Sequence, residues 1–173
     1  MKYSVIYSTH TDNAVKLASR IVTALGSDDL VFDGKVAGCP QFALDADLIF
    51  VGFWTTANSC DKLVQALLAK LSHRRIALFG TCGFGSDQAH FDLVKKNVLS
   101  FVPADAKVEG FYLVNGRIGQ DFVQRALASN GAAGEDFHYP NFRKFYAQDQ
   151  GHPTEQELVA CADWAKEIAA KSR

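Results

Sequence analysis

The sequence predicts an α/β fold: a three-layer sandwich in which a five-stranded parallel sheet carries helices on both faces. Two observations predict it. Short apolar runs alternate with stretches whose apolar residues recur at helical spacing, as repeated strand–helix–strand units require. Two of those runs, Asp47–Trp54 (DLIFVGFW) and Arg75–Gly80 (RIALFG), are nearly continuous, which is how central parallel strands covered on both faces read.

The elements follow in order. Tyr3–Tyr7 is the first strand, and Asp12–Leu25 is a helix with Val15, Leu17, Ala18, Ile21, Val22 and Leu25 on its apolar side and Gly26 as its stop. Leu30–Phe32 is a short second strand, and Asp47–Trp54 is the third. Asp61–Leu71 is a helix that turns Leu63, Val64, Leu67, Leu68 and Leu71 inward. Arg75–Gly80 is the fourth strand, Asp87–Phe101 a helix, Lys107–Val114 the fifth strand, and Phe122–Ala128 the start of another helix. The closing helix opens on a capping box, Thr154 with Glu157, and presents Leu158, Cys161, Ala162, Ala165 and Ile168 along one face. Between Gly131 and His152 lies an irregular segment rich in aromatics: Phe137, Tyr139, Phe142, Phe145 and Tyr146. Its length marks it as a lid, a docking element or a satellite cluster over the sheet edge.

The chain has 173 residues, which suits one domain over residues 1–173 with a substantial core. Hydrophobic residues make up 48% and charged residues 21%, the balance of a globular protein and not of a disordered one. A net charge of -1 argues against nucleic acid as a partner. No apolar run reaches the length of a membrane span, and MKYSVIYS has no signal-peptide pattern. Cys39, Cys60, Cys82 and Cys161 are scattered without a CxxC pair, so the expected setting is a reducing cytoplasm. His73, His90, His138 and His152 have no metal-like spacing, and no metal site is expected.

In a doubly wound sheet, ligands bind beyond the carboxyl ends of the strands. Three loops leave those ends here. Ser8, Thr9, His10, Thr11, Asp12, Asn13 and Ala14 lead into a helix start, a setting that suits a phosphate and equally suits a capped helix. Trp54 leaves a central strand, followed by Thr55 and Thr56; its indole could stack on a planar ligand or pack on a neighbouring helix. Thr81, Cys82, Gly83, Phe84 and Gly85 form a glycine-rich loop that allows close backbone approach and sets Phe84 between two glycines. Cys82 has no evident basic neighbour and reads as inert.

Taken together, these loops resemble those of the flavodoxin-like family. IYSTHTDNAV is similar to the family's first loop, close to T/S-x-T-G-N-T, with Thr9 to Ala14 in its six places. Trp54 falls where the family carries an aromatic on its second loop, and GTCGFG falls at the glycine-rich third. The resemblance covers Met1 to Val114 and the closing helix, and GFW…D…ALFGTCG also resembles short members of the family that assist reductases acting on tetrapyrroles. It implies strand order 2-1-3-4-5 and a non-covalently bound FMN. Thr9, His10, Thr11, Asn13 and Ala14 would surround the phosphate, Trp54 and Phe84 would flank the ring, and backbone groups of Thr55, Thr56, Cys82 and Gly83 would reach its edges.

Three departures stand out. Asp12 replaces the family glycine and sets a carboxylate beside the phosphate; Ala14 lacks a hydroxyl; and no glycine follows Trp54. The leading expectation is an FMN-binding, cytoplasmic electron-transfer protein or accessory subunit, a monomer or weak dimer, serving a redox partner protein with no catalytic side chain of its own. The alternatives are a flavin-dependent reductase or oxidase acting on a quinone or tetrapyrrole, and a flavin-free interaction domain, which Asp12 favours.

Overall fold

Each predicted apolar run forms a strand of one sheet. The computed structural model describes residues 1–83, 87–124 and 142–171, with the side chains of 142–145 outside that description. The strands are β1 (Tyr3–Tyr7), β2 (Leu30–Lys35), β3 (Leu48–Thr56), β4 (Ser59–Cys60), β5 (Arg75–Cys82) and β6 (Lys107–Asn115). Their order is β2-β1-β3-β5-β6, all parallel. This is the expected five-stranded arrangement. The short β4 is an addition, folding back antiparallel on the end of β3.

Side chains alternate between the two faces of the sheet, and each face has its own core. On one face Ile49, Val51, Phe53, Ile76 and Leu78 pack with Val64, Leu67 and Leu68 of α2 (Lys62–Leu68) and Val94 and Val98 of α3 (Gln88–Leu99). On the other, Leu48, Phe50, Ala77 and Phe79 pack with Leu17, Ala18 and Ile21 of α1 (Asn13–Leu25). Leu158, Cys161, Ala165 and Ile168 of the closing helix join them. Two glycines make this packing possible. A Cβ at Gly52 would sit 2.4 Å from the Phe79 ring, and one at Gly80 would sit 2.6 Å from the Phe53 ring.

A short helix, α4 (Phe142–Asp149), lies inside the segment expected to be irregular. Phe137 and Tyr139 fall outside the described residues, while Tyr146 packs beside Ile118 and Val123. The expected helix at Phe122–Ala128 begins two residues early and is described as far as 124. The closing helix, α5 (Glu155–Lys171), starts on the expected capping box. The Glu157 amide donates to Thr154 Oγ1 at 3.2 Å, and the Thr154 amide donates to Glu157 Oε2 at 2.6 Å.

Several boundaries differ from expectation; β3 and β5 each run two residues further, to Thr56 and Cys82. β2 runs on through Asp33, Gly34 and Lys35 because these pair in register with Val5, Ile6 and Tyr7. Strand pairing there overrides weak local propensity. α2 stops at Leu68, and tighter three-residue bonds, Lys70 amide to Leu67 carbonyl and Leu71 amide to Leu68 carbonyl, complete the turn. α3 ends at Leu99 in the same way, with the Phe101 amide bonded to the Val98 carbonyl.

Candidate functional site

The carboxyl ends of the parallel strands line up across the sheet. Trp54 of β3 is in register with Thr81 of β5, and Thr81 is in register with Val114 of β6. The loops that leave this row therefore meet at one edge.

The first loop begins where the Ser8 amide bonds to the Gly52 carbonyl at 3.0 Å. Asp12, the residue before α1, adopts φ 60° and ψ 7°, the left-handed conformation that glycine accepts most easily. The backbone shape of a glycine is thus kept although the residue has changed. The exposed Asp12 side chain makes no capping hydrogen bond to α1. Asn13 follows and is buried. Its Nδ2 donates to Thr11 Oγ1 at 2.7 Å and to the Arg117 carbonyl at 2.8 Å.

The second loop is shorter than the sequence implies. Thr55 and Thr56 belong to β3 and pair back with Cys60 and Ser59. Ala57 and Asn58 alone make the turn, at φ 48° and 57°, the two positive values of a type I′ hairpin. Asn97 Nδ2 of α3 holds the turn by donating to the Asn58 carbonyl at 2.9 Å. Of the third loop, Thr81, Cys82 and Gly83 are described, and Phe84 and Gly85 lie outside the described residues.

A fourth loop, 116–119 after β6, completes the site; from sequence, Arg117 stands out only as an isolated basic residue that could meet an acidic substrate, with Arg143 and Lys144, and is more often solvated. Gly116 lets it close: a Cβ there would lie 2.8 Å from Thr81 Cβ and 2.9 Å from Asn13 Nδ2. The available signal was a strand ending in Asn115, Gly116 and Arg117 at the same sheet edge, which is too weak on its own.

Together these loops enclose a cavity of about 320 Å³. That is near the lower end of the roughly 300–1,000 Å³ of small-ligand sites. Among the expected residues His10, Thr11, Asn13, Trp54, Thr55, Thr56, Thr81 and Gly83 line it. Ser8, Thr9, Asp12, Ala14 and Cys82 support the wall from behind or beside it and are not part of the lining. The unexpected lining residues are Ala57, Asn58, His90, Gly116, Arg117, Ile118, Gly119 and Phe122.

The imidazole of His10 stacks on the indole of Trp54, with ring centroids 5.1 Å apart and planes 28° from parallel. His10 Nε2 lies 3.3 Å from Asp121 Oδ2. Cys82 has the basic neighbour that the sequence did not reveal: His90 Nε2 is 3.5 Å from its sulfur. The thiol is inert all the same. Burial, with the negative charges of Asp149 and Asp87 adding to it, pushes Cys82 up to about 12. Among the described residues, no group of three or more His, Cys, Asp and Glu could hold a metal ion, and no helix is long and apolar enough to cross a membrane.

The residues fit an FMN chemically. Thr9 Oγ1 and Asn13 Oδ1 are buried without a hydrogen-bond partner among the described residues. A hydroxyl can donate to a phosphate and an amide oxygen can accept from a sugar-like hydroxyl, so both atoms have uses that a phosphorylated flavin would supply. Trp54 offers a flat apolar surface in the same cavity.

The fold and this edge define a flavodoxin-type protein. The chain matches the flavodoxin domain over residues 4–166 and belongs to that family. It is 30% identical to a flavodoxin-like domain-containing protein, BilS, of Clostridium symbiosum, over 92% of each chain. It is 25% identical to a BilS protein of Clostridioides difficile, over 99% of this chain and 98% of that one. Among solved structures it is similar in fold to Fusobacterium nucleatum flavodoxin bound to flavin mononucleotide, with a TM-score of 0.59, 15% identity and 98% of each chain covered.

Proposed function

We propose that this protein holds FMN at the carboxyl edge of its sheet and passes electrons to, or within, a redox partner system. The observation that carries the proposal is the cavity itself. Trp54 lies on one wall, the start of α1 lies on another, and the buried oxygens of Thr9 and Asn13 are available beside it. The flavin, when bound, supplies the redox chemistry. The protein supplies burial, stacking and hydrogen bonds that set the potential.

Each wall has a separate task. Thr9 and Thr11 offer hydroxyls to the phosphate, together with the backbone amides at the α1 start, which no side chain caps. Trp54 offers its indole to the ring, and a ring that takes the face now covered by His10 displaces the imidazole. The Thr55–Ser59 hairpin, fastened to α3 through Asn97, holds Trp54 in place. The Cys82 thiol stays protonated and apolar beside the site and takes no part as a nucleophile. The partner is a protein that donates or accepts electrons, and the likeness of GFW…D…ALFGTCG to short family members that assist reductases makes an accessory role beside a reductase the natural first case to try.

The visible spectrum of the purified protein, followed by an FMN titration read by flavin fluorescence, is the test. Flavin absorbance bands and stoichiometric quenching are expected. A colourless protein that leaves added FMN fully fluorescent would overturn the proposal. Steady oxidation of reduced nicotinamide by the protein alone would favour the second reading, a flavin-dependent reductase, which the presence of His10 and His90 in the cavity wall supports.

A further inference from the structure

The cavity wall carries a lopsided charge. None of its described lining residues is an aspartate or glutamate. Two are histidines, and one, Arg117, bears a permanent positive charge. Arg117 is exposed and has no ion-pair partner among the described residues, whereas Arg20, Arg74 and Arg75 each pair with a carboxylate. A cation without an ion-pair partner in a wall whose neighbouring carboxylate, Asp121, is turned to His10 invites an anion.

Its backbone is held at the place where that anion would sit. The Arg117 carbonyl accepts from Asn13 Nδ2 at 2.8 Å, so the residue is one hydrogen bond from the first position of α1. The Arg117 amide donates to the His152 carbonyl at 3.0 Å, which ties the loop on its far side. Gly116 brings the loop down onto Thr81 and Asn13. This anchoring sets Arg117 in the cavity wall with its backbone beside Asn13, the first residue of α1. The same helix start carries the exposed carboxylate of Asp12, which repels a phosphate. A cation is therefore needed there more than in a loop with glycine at that position.

We propose that Arg117 is the counter-charge for the flavin phosphate and makes the site select FMN over riboflavin. The inference rests on the FMN reading above. It adds a fourth loop to ligand recognition and assigns selectivity to one side chain.

The test is a pair of fluorescence titrations, with FMN and with riboflavin, on the wild-type protein, Arg117→Gln and Arg117→Lys. Each is run at low and at high salt, with circular dichroism to verify the fold. The wild type should bind FMN more tightly than riboflavin, and salt should weaken FMN binding more steeply. Arg117→Gln should weaken FMN on the order of tenfold, the effect of one charge-assisted hydrogen bond, and leave riboflavin unchanged. Arg117→Lys should retain part of the preference, because the charge remains and the planar fork does not. Equal weakening of both flavins in Arg117→Gln would make the residue a loop support and overturn the inference, as would unchanged FMN binding. Either result leaves the FMN reading standing. If the wild type binds neither flavin, both fall.

Discussion

Helices α2 and α3 begin alike, and α1 begins differently, although an aspartate precedes all three. Asp61 accepts from the amides of Leu63 and Val64 at 3.0 and 3.4 Å, and Asp87 accepts from the amide of His90 at 2.7 Å. Both residues have extended backbones, as side-chain caps do. Asp12 is left-handed and its carboxylate caps nothing. α1 is held instead from outside, by Asn13 reaching across to Thr11 and to the Arg117 carbonyl. The same residue type closes two helix starts and leaves the third open. The open one puts its first residue, Asn13, in the cavity wall. Backbone conformation, set by the turn, decides which role the aspartate plays.

Four substitutions probe this difference. Asn13→Ala should have the largest effect. It removes two hydrogen bonds from a buried residue, and a loss of about 2 kcal/mol in urea unfolding is expected. FMN affinity should fall with it. A neutral result would show that α1 does not depend on the β6 loop.

Asp61→Ala and Asp87→Ala come next, at about 1–2 kcal/mol each, the usual loss for a side-chain cap. Flavin binding should survive in both, since neither residue lines the cavity. Asp12→Gly should act in the opposite direction and least. Relief of the left-handed strain, set against the extra chain entropy of glycine, leaves a gain of up to about 1 kcal/mol. The same variant should tighten FMN, because a carboxylate beside the phosphate is removed. A loss as large as that of Asp61→Ala would mean that Asp12 is a cap after all, and the contrast would collapse.

The parts of this molecule that could be read from its sequence are those where side-chain chemistry alone decides the outcome. DLIFVGFW and RIALFG had to be buried on both faces, and they are β3 and β5. Thr154 and Glu157 lie three residues apart and form their box. The illegible parts are those where a neighbour decides. Asp33 and Gly34 are poor strand residues that β1 recruits by pairing. Ala57 and Asn58 make a hairpin turn without the glycine that usually announces one. For the site, the sequence pointed to three loops, and the structure brings eight of their residues to one cavity wall. The position of loop 116–119 at this edge could not be read, even though Arg117 stood out as basic, because its place depends on where β6 lies in the sheet and on nothing in its composition.

Gly116 gives the wall an economy of scale that its ligand-facing groups lack. The gap between this residue and its neighbours Thr81 and Asn13 is narrower than a methyl group. A single added carbon would act as a wedge, lifting the β6 exit away from α1 and carrying Arg117 with it. The grip on a ligand could then be graded through the loop that carries Gly116, with every polar side chain that meets the ligand left chemically intact.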